Sequence, residues 1–166
     1  AAALESGEYT VNSTIDTSPG FRRFGRFTIR DHRNYGVLDL TEIIVKSSNV
    51  GVSNIATDLG GDTLRNLYAR LGLGQATGIG FPGEAVGVLP APPKWRPVEE
   101  STLSYGYGMS VNALQLAQAY MVIANGGIRY PLSLMRQEQR PQGQRVLSEQ
   151  VTRAVRDMLK QAVARG

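Results

Sequence analysis

Apolar residues recur at intervals of three and four along several stretches of the chain, which is the pattern of helices that bury one face. The clearest of these stretches follows Ser148, and another follows Asp39, with Glu42 at the position of a capping box. A third stretch ends at the Gly60-Gly61 pair, which is typical of a helix C-terminus. The predicted helices begin at or after Asp39, Val52, Asp62, Asn112 and Ser148.

The segments outside these helices have other patterns. Residues 1–4 are interpreted as the last turn of a helix, so we expect the sequence to begin inside an element. Residues 9–34 are interpreted as loop with one or two short strands, because apolar and polar residues alternate from 26 to 30. Glycine and proline are so frequent from 72 to 97 that we predict a long connection, and such connections often carry functional groups. The stripe of small residues after Asn112 predicts close packing against a neighbouring element.

Composition narrows the range of functions. Of the 166 residues, 42% are apolar and 19% are charged, which indicates a folded globular domain. The chain has no Cys and a single His, so a Cys-based nucleophile is excluded and we expect no metal and no cofactor. No apolar run reaches the roughly 18 to 20 residues that span a bilayer. The net charge of +4, from 18 Lys and Arg against 14 Asp and Glu, allows an anionic partner without requiring one.

The candidate chemistry lies at Ser47-Ser48-Asn49, where two predicted helices meet. Ser47 follows Leu40 by seven residues, so its hydroxyl is predicted to extend the apolar face of the first helix at its end. In one interpretation this hydroxyl bonds a carbonyl one turn earlier, while Ser48 and Asn49 cap the two helices. In the other interpretation, the corner presents a hydroxyl and an amide together to a cleft. The spacing alone leaves both interpretations open.

The residues around this corner resemble a known family. The run from Lys46 to Ser53 is similar to the S-x-N motif of the penicillin-binding transpeptidases, the counterpart of S-D-N in the serine β-lactamases. Further matching segments follow in order along essentially the whole chain: Arg30-Asp31, Asp39-Leu40-Thr41, Gly72-Leu73-Gly74, Thr77-Gly78, Phe81-Pro82-Gly83-Glu84, Tyr105-Gly106-Tyr107-Gly108 and Asn112-Ala113-Leu114-Gln115-Leu116-Ala117. Together they resemble the septal class B enzymes of the penicillin-binding protein 3 type in Gram-negative bacteria.

The resemblance implies a role for three residues. Ser47 is expected to bond the lysine of the family's S-x-x-K motif and to relay protons during acylation and deacylation. Asn49 is expected to hold the acyl-side amide of a peptide stem or a β-lactam. Tyr107 resembles the aromatic lining of the cleft, although a tyrosine buried in a glycine turn fits the local sequence as well.

Two motifs that the family needs do not occur in the chain. No serine is followed three residues later by lysine, and no lysine begins a K-[ST]-G triplet. Family spacing puts the nucleophile a few residues before Ala1 and the strand motif shortly after Gly166. Residues 1–166 are therefore expected to be the middle portion of a transpeptidase domain, inactive and at best partly folded alone. The expected fold is mainly α, the helical lobe of an α/β (α+β) serine transpeptidase or β-lactamase-like domain with only short strands.

The resemblance also implies partners and a location. The expected substrates are peptidoglycan stem peptides and their lipid-linked precursor, with β-lactam antibiotics as inhibitors and divisome proteins as partners. Septal cell-wall synthesis during cell division places such an enzyme at the periplasmic face of the bacterial inner membrane, with its anchor outside this chain. No nucleic acid is expected among the partners.

Two other functions are possible for this sequence. Five arginines between Arg22 and Arg33 alternate with phenylalanines and could contact nucleic acid or acidic lipid, although no nucleic-acid motif accompanies them. The chain could also belong to a non-catalytic relative or a scaffold of the same fold.

Two charged residues near the motifs are interpreted as structural or solvated. Glu84 is interpreted as a turn carboxylate paired with one of the arginines, and Lys46 as a solvated side chain.

Overall fold

The computed structural model describes residues 1–139 and 141–166. The described residues form α1 (Ala2–Ser6), α2 (Leu40–Val45), α3 (Asn49–Leu59), α4 (Gly61–Leu71), α5 (Pro97–Leu103), α6 (Ala113–Ala124) and α7 (Glu149–Arg165). The strands are β1 (Thr14–Asp16), β2 (Phe21–Phe24), β3 (Phe27–Arg30), β4 (Val37–Asp39), β5 (Ile128–Arg129) and β6 (Gln144–Arg145). The prediction of a mainly helical chain with short strands is confirmed.

The predicted helix caps are confirmed at three positions. The Asp39 carboxylate accepts from the Glu42 amide, and Glu42 completes the capping box of α2. Asn112 caps α6 through the Gln115 amide, and the Ser148 hydroxyl caps α7. In each case a short polar side chain satisfies an amide that has no partner within the helix.

Two helices differ from the prediction. The prediction that a helix begins at Val52 is wrong by one turn, because Ser48 caps α3 and the helix includes Gly51. Helix α5 was not predicted, although Pro97 occupies its first turn, where the missing N–H of proline costs nothing. Its seven residues are too few for a clear apolar repeat.

The strands form three separate antiparallel pairs within the described residues: β1 with β4, β2 with β3, and β5 with β6. The first pair joins Thr14–Asp16 to the strand that leads directly into α2. The second is a hairpin, in which Phe21 lies opposite Arg30 and Phe24 lies opposite Phe27. Strand β4 thus leads directly into α2, and β1 and β3 lie beside α3.

The main core lies between α4, α6 and α7. Leu67 and Leu71 of α4 pack with Val122 of α6 and with Val151 and Val155 of α7. The prediction that the small residues Ala113, Ala117 and Ala124 of α6 pack against a neighbour is wrong within the described residues, where all three are exposed. The opposite face of α6 is buried instead: Gln115, Gln118, Ala119 and Val122.

Buried Gln115 fastens the long connection to the helices. Its side-chain amide donates to the carbonyls of Gln75 at 2.6 Å and Val86 at 2.7 Å. The same side chain accepts from the Asn112 amide at 3.1 Å and completes the cap of α6. A glutamine in an apolar helix face is thus explained by the carbonyls that it satisfies in a connection of otherwise irregular structure.

We predict that Gln115→Leu lowers the free energy of unfolding by about 2 to 3 kcal/mol, because two carbonyls lose their donor in a buried site. Urea denaturation monitored by circular dichroism measures this change. Gln150→Leu, at an exposed position of α7, is the matched control and should change stability by less than about 0.5 kcal/mol. Equal effects of the two substitutions would contradict the fastening role.

Candidate active site

The corner between α2 and α3 is formed by a tight backbone reversal at Ser47. The Ser47 amide donates to the Ile44 carbonyl at 3.1 Å, and the Ser48 amide donates to the Ile43 carbonyl at 3.0 Å. This pair of bonds is the Schellman ending of a helix, whose reversing residue takes a left-handed conformation and is usually glycine. Ser47 has a φ of 51° and is the single non-glycine residue with positive φ in the part of the chain that the structure describes.

Ser48, between the two candidate residues, is a structural residue. It is 1% exposed, and its hydroxyl donates to Asp31 Oδ2 at 2.6 Å while accepting from the Gly51 amide at 2.9 Å. Asp31 Oδ1 accepts from the Val50 amide at 3.0 Å. One carboxylate and one hydroxyl thus satisfy the first amides of α3 and attach the helix to the end of β3.

Ser47 does not extend the apolar face of α2, so that prediction is wrong. Helix α2 ends at Val45, and the left-handed turn after Lys46 carries the Ser47 side chain into an exposed position. Among the described residues the Ser47 hydroxyl has no hydrogen-bond partner, so the interpretation in which it bonds a carbonyl one turn earlier is wrong. The hydroxyl is available to a molecule that enters the corner.

Asn49 is the first residue of α3 and does not act as its cap, because Ser48 does. Its side-chain amide donates to the Arg30 carbonyl at 3.3 Å, a long bond at a half-buried position. Asn49 and Ser47 therefore lie on either side of buried Ser48, at one corner. A hydroxyl and a carboxamide are the chemical groups that the corner offers.

Tyr107 is 71% exposed and extends from a turn that follows α5. Its amide donates to the Thr102 carbonyl at 3.0 Å, and Gly106 and Gly108 on either side have φ values of 83° and 82°. A side chain at either glycine would be strained, so the two glycines hold the tyrosine out of the fold. The alternative of a buried tyrosine is wrong.

Helix α5, which precedes this turn, packs along α3. The Gly61 amide, beyond the C-terminus of α3, donates to Glu100 near the start of α5 at 3.2 Å. Farther along α5, Leu103 packs with Ala56, one turn earlier in α3. The two helices thus run antiparallel, and the turn after α5 lies toward the end of α3 that carries Asn49.

Tyr107 also borders a cavity of about 320 Å³, together with Pro90, Pro92 and Trp95 of the long connection. The neighbouring Tyr105 is less exposed, and burial, with a smaller contribution from Tyr107, raises the pKa of its phenol above the ordinary value. The Tyr105 phenol is therefore harder to ionise than that of an exposed tyrosine.

Glu84 is a turn carboxylate, as predicted. The predicted arginine partner is wrong, because its partners are Thr77 and Asn112. Its carboxylate accepts from the Thr77 amide at 3.0 Å and from the Asn112 side chain at 3.2 Å. The Thr77 backbone bond is the main cause that holds the pKa of Glu84 below its usual value. Glu84 therefore closes the turn from 77 to 84 and joins it to the start of α6.

The arginine-rich segment is a hairpin, β2–β3, and one of its arginines is structural. Arg22 Nη1 donates to the Ser53 carbonyl at 3.1 Å, to Asn54 Oδ1 at 3.0 Å and to Thr57 Oγ1 at 2.9 Å, which attaches the hairpin to α3. This residue is thus unavailable to nucleic acid or lipid.

In residues 1–139 and 141–166 the side chains of His, Asp and Glu form no group of three that could hold a metal ion. No helix in this part of the chain has the length and apolar character of a membrane span.

Comparison with known proteins identifies the family to which this corner belongs. A family model described as the penicillin binding protein transpeptidase domain matches residues 1–166. The chain belongs to this transpeptidase family. The run Ser47-Ser48-Asn49 lies within this match, which covers the full chain.

Individual members of the transpeptidase family agree closely with the chain. The probable peptidoglycan D,D-transpeptidase PenA of Neisseria gonorrhoeae is 38% identical over 159 residues, which are 96% of this chain and 27% of that protein. The peptidoglycan D,D-transpeptidase FtsI of Escherichia coli is 38% identical over 164 residues, 99% of this chain and 28% of that protein. The chain thus spans a little over a quarter of these curated relatives.

Solved structures show the same transpeptidase fold. The transpeptidase domain of penicillin-binding protein 3 from Burkholderia pseudomallei matches with a TM-score of 0.89 and 39% identity, over 96% of this chain and 49% of that one. A peptidoglycan glycosyltransferase from Burkholderia ambifaria matches with a TM-score of 0.90 and 38% identity, over 95% of this chain and 51% of that one. The fold expected from the resemblance is confirmed.

We predict opposite outcomes for the two adjacent serines of the transpeptidase corner. Ser48→Ala should lower the free energy of unfolding by about 1 to 3 kcal/mol, because Asp31 and the start of α3 lose a buried partner. Ser47→Ala removes a hydroxyl without a partner and should change stability by less than about 0.5 kcal/mol. Parallel urea denaturation of the two variants measures the difference; a large loss of stability in Ser47→Ala would show that Ser47 is structural.

Proposed function

We propose that the chain is the middle part of the transpeptidase domain of a peptidoglycan D,D-transpeptidase. The complete enzyme cross-links stem peptides through an acyl-serine intermediate and is inhibited by β-lactams that acylate the same serine. The match of the transpeptidase family model over residues 1–166 and the names of the relatives support this function. The nucleophilic serine and its lysine belong to the S-x-x-K motif, which does not occur in this chain.

The exposed, unpartnered hydroxyl of Ser47 is the observation that carries the proposal. A non-glycine residue in the left-handed conformation costs on the order of 1 kcal/mol, and this side chain forms no hydrogen bond with residues 1–139 or 141–166 in return. A group held in this way is suited to contact a reacting molecule. In the proposed mechanism Ser47 bonds the lysine of the S-x-x-K motif and passes a proton between that lysine and the substrate.

Asn49 holds the substrate in this mechanism. Its side-chain amide has a single long bond, to the Arg30 carbonyl at 3.3 Å, and its oxygen has no partner among the described residues. The carboxamide can therefore donate to a carbonyl oxygen and accept from an N–H of the acyl-side amide. Positioning of that amide lowers the barrier to attack by the serine outside the chain.

Tyr107 forms a wall of the substrate cleft and takes no part in proton transfer. Its exposed ring lies on the turn after α5, and α5 runs antiparallel to α3. An aromatic face in this place contacts the apolar part of a β-lactam side chain or a stem peptide. Its contribution is therefore to binding, and the chemistry depends on Ser47 and the residues outside the chain.

We further propose that the enzyme acts in septal synthesis, at the periplasmic face of the inner membrane, on stem peptides and their lipid-linked precursor, in contact with divisome proteins. Support comes from the septal motifs in the sequence and from the likeness to FtsI and to penicillin-binding protein 3. Residues 1–166 contain neither the S-x-x-K motif nor the K-[ST]-G motif of the family.

We predict that Ser47→Ala slows acylation of the complete enzyme by about 10² to 10⁴-fold, as expected when a positioned proton-transfer group is lost. Asn49→Ala should cost a few kcal/mol of transition-state stabilisation, seen as a lower second-order rate constant. Stopped-flow acylation by a fluorescent penicillin measures both, beside the thermal midpoint of each variant. Lys46→Ala, next to the motif, is the control and should acylate at the normal rate. Normal acylation in Ser47→Ala would remove the proposed role.

We predict that Tyr107→Ala weakens β-lactam recognition by about 1 to 3 kcal/mol, the range for loss of an aromatic contact, with the acylation step unchanged. Separation of the binding constant from the acylation rate constant in a concentration series measures this. Tyr120→Ala, at an exposed position of α6, is the matched control and should change neither constant. A lower acylation rate constant with normal binding would contradict the wall function of Tyr107.

A further inference from the structure

The β2–β3 hairpin has two faces with different roles. Residues directly opposite each other in an antiparallel pair lie on the same face, so Arg22 shares its face with Ile29. This inner face packs toward α3, since Ile29 is buried and Arg22 bonds the Ser53 carbonyl. The alternation of side chains places Phe21 with Arg30, and Arg23 with Thr28, on the outer face.

On the outer face one aromatic ring holds two guanidinium groups. The Cζ atoms of Arg23 and Arg30 lie 5.3 Å and 5.6 Å from the centroid of the Phe21 ring, within the range of cation–π contacts. Both arginines are exposed, and neither forms an ion pair with a residue in 1–139 or 141–166. The ring thus keeps two like charges in place without neutralising them, an arrangement that an anion would stabilise.

A further exposed arginine, Arg26 in the turn of the hairpin, lies apart from this outer face, because its ring partner Phe27 shares a face with Ile29. Arg26 lies over Phe27, with 5.2 Å between its Cζ atom and the ring centroid, and the Phe27 ring is half exposed. Because guanidinium groups form bidentate hydrogen bonds with carboxylates, the outer face fits an acidic ligand.

The position of the hairpin favours a peptide as that ligand. Arg30, which contributes one of the two guanidinium groups, also contributes the carbonyl that accepts from Asn49. In the described part of the chain β2 and β3 pair only with each other, so the hairpin has strand edges to which an extended peptide can add. A peptide whose end lies at the Asn49 corner can therefore continue along the hairpin, whereas a lipid surface or a nucleic acid gains nothing from these edges.

We propose that the outer face of the β2–β3 hairpin binds the carboxylate groups of an extended acidic peptide that reaches the Asn49 corner. Arg23 and Arg30 are the contacts, and Phe21 positions both. This inference rests on the proposed function, in which the corner receives a peptide substrate. It implies that carboxylates of the peptide, at a distance from the reacting amide, contribute to recognition.

Binding of a fluorescein-labelled Ala-Glu-Ala-Glu-Ala peptide to the complete enzyme, followed by fluorescence anisotropy at low ionic strength, tests the proposal. The double variant Arg23→Gln/Arg30→Gln should bind at least about tenfold more weakly, because the loss of even one of the two charge-assisted contacts has an effect of that size. The charge-matched control Arg136→Gln/Arg153→Gln removes two exposed arginines elsewhere and should bind as the wild type does. Equal losses in the two double variants would overturn the proposal, because net charge alone would then explain binding.

Two further measurements identify the ligand class and the geometry. The uncharged Ala-Gln-Ala-Gln-Ala peptide should bind at least about tenfold more weakly to the wild type, and Arg23→Lys/Arg30→Lys should retain only part of the affinity because lysine lacks the planar guanidinium. Tighter binding to vesicles of anionic phospholipid or to single-stranded DNA than to the acidic peptide would overturn the proposal. Penicillin labelling of the wild type reports the proposed function separately, so loss of labelling with intact peptide discrimination is a failure of that function alone.

Discussion

The arrangement of the candidate site depends on the hydrogen bonds that the Asp31 carboxylate accepts. This carboxylate joins the end of β3 to the Ser48 hydroxyl and the Val50 amide at the first turn of α3. Without Asp31, the buried Ser48 hydroxyl and the Val50 amide would both lack their acceptor, and α3 would be less firmly attached to the end of β3. These bonds hold the backbone at Ser47-Ser48-Asn49 in place through Ser48. The side chains of Ser47 and Asn49 remain available for chemistry.

Several parts of the fold could be predicted because the signals are local. The caps Asp39, Asn112 and Ser148 lie within three residues of the amides that they satisfy, so the sequence contains both partners. Asp31 lies 17 residues before Ser48, and no spacing rule connects them. The same holds for Gln115 and its acceptor 40 residues earlier. Contacts formed by the folded chain, and not by helix periodicity, decide these positions.

The candidate site shows the same division. The S-x-N motif indicated the corner, yet helical periodicity gave Ser47 a place on the apolar face of α2 that it does not have. Periodicity assumes that the helix continues, whereas the chain leaves the helix at Lys46 and reverses at Ser47. For Tyr107 the flanking glycines were visible in the sequence, but the direction of the turn depends on the antiparallel packing of α5 against α3. Capping patterns therefore guided the prediction of structure, whereas the chemistry proposed for Ser47 and Asn49 rests on the family resemblance.

At position 47, the residue that would be most stable in the left-handed backbone differs from the residue that the proposed function requires. Glycine adopts this conformation without strain, so a protein engineer who selects for thermostability alone would choose glycine at this position early. That choice deletes the one hydroxyl that the corner presents. A thermostabilised version of this domain must therefore keep position 47 fixed and obtain its gains elsewhere, since the most favourable backbone at the corner and the proposed chemistry require different residues.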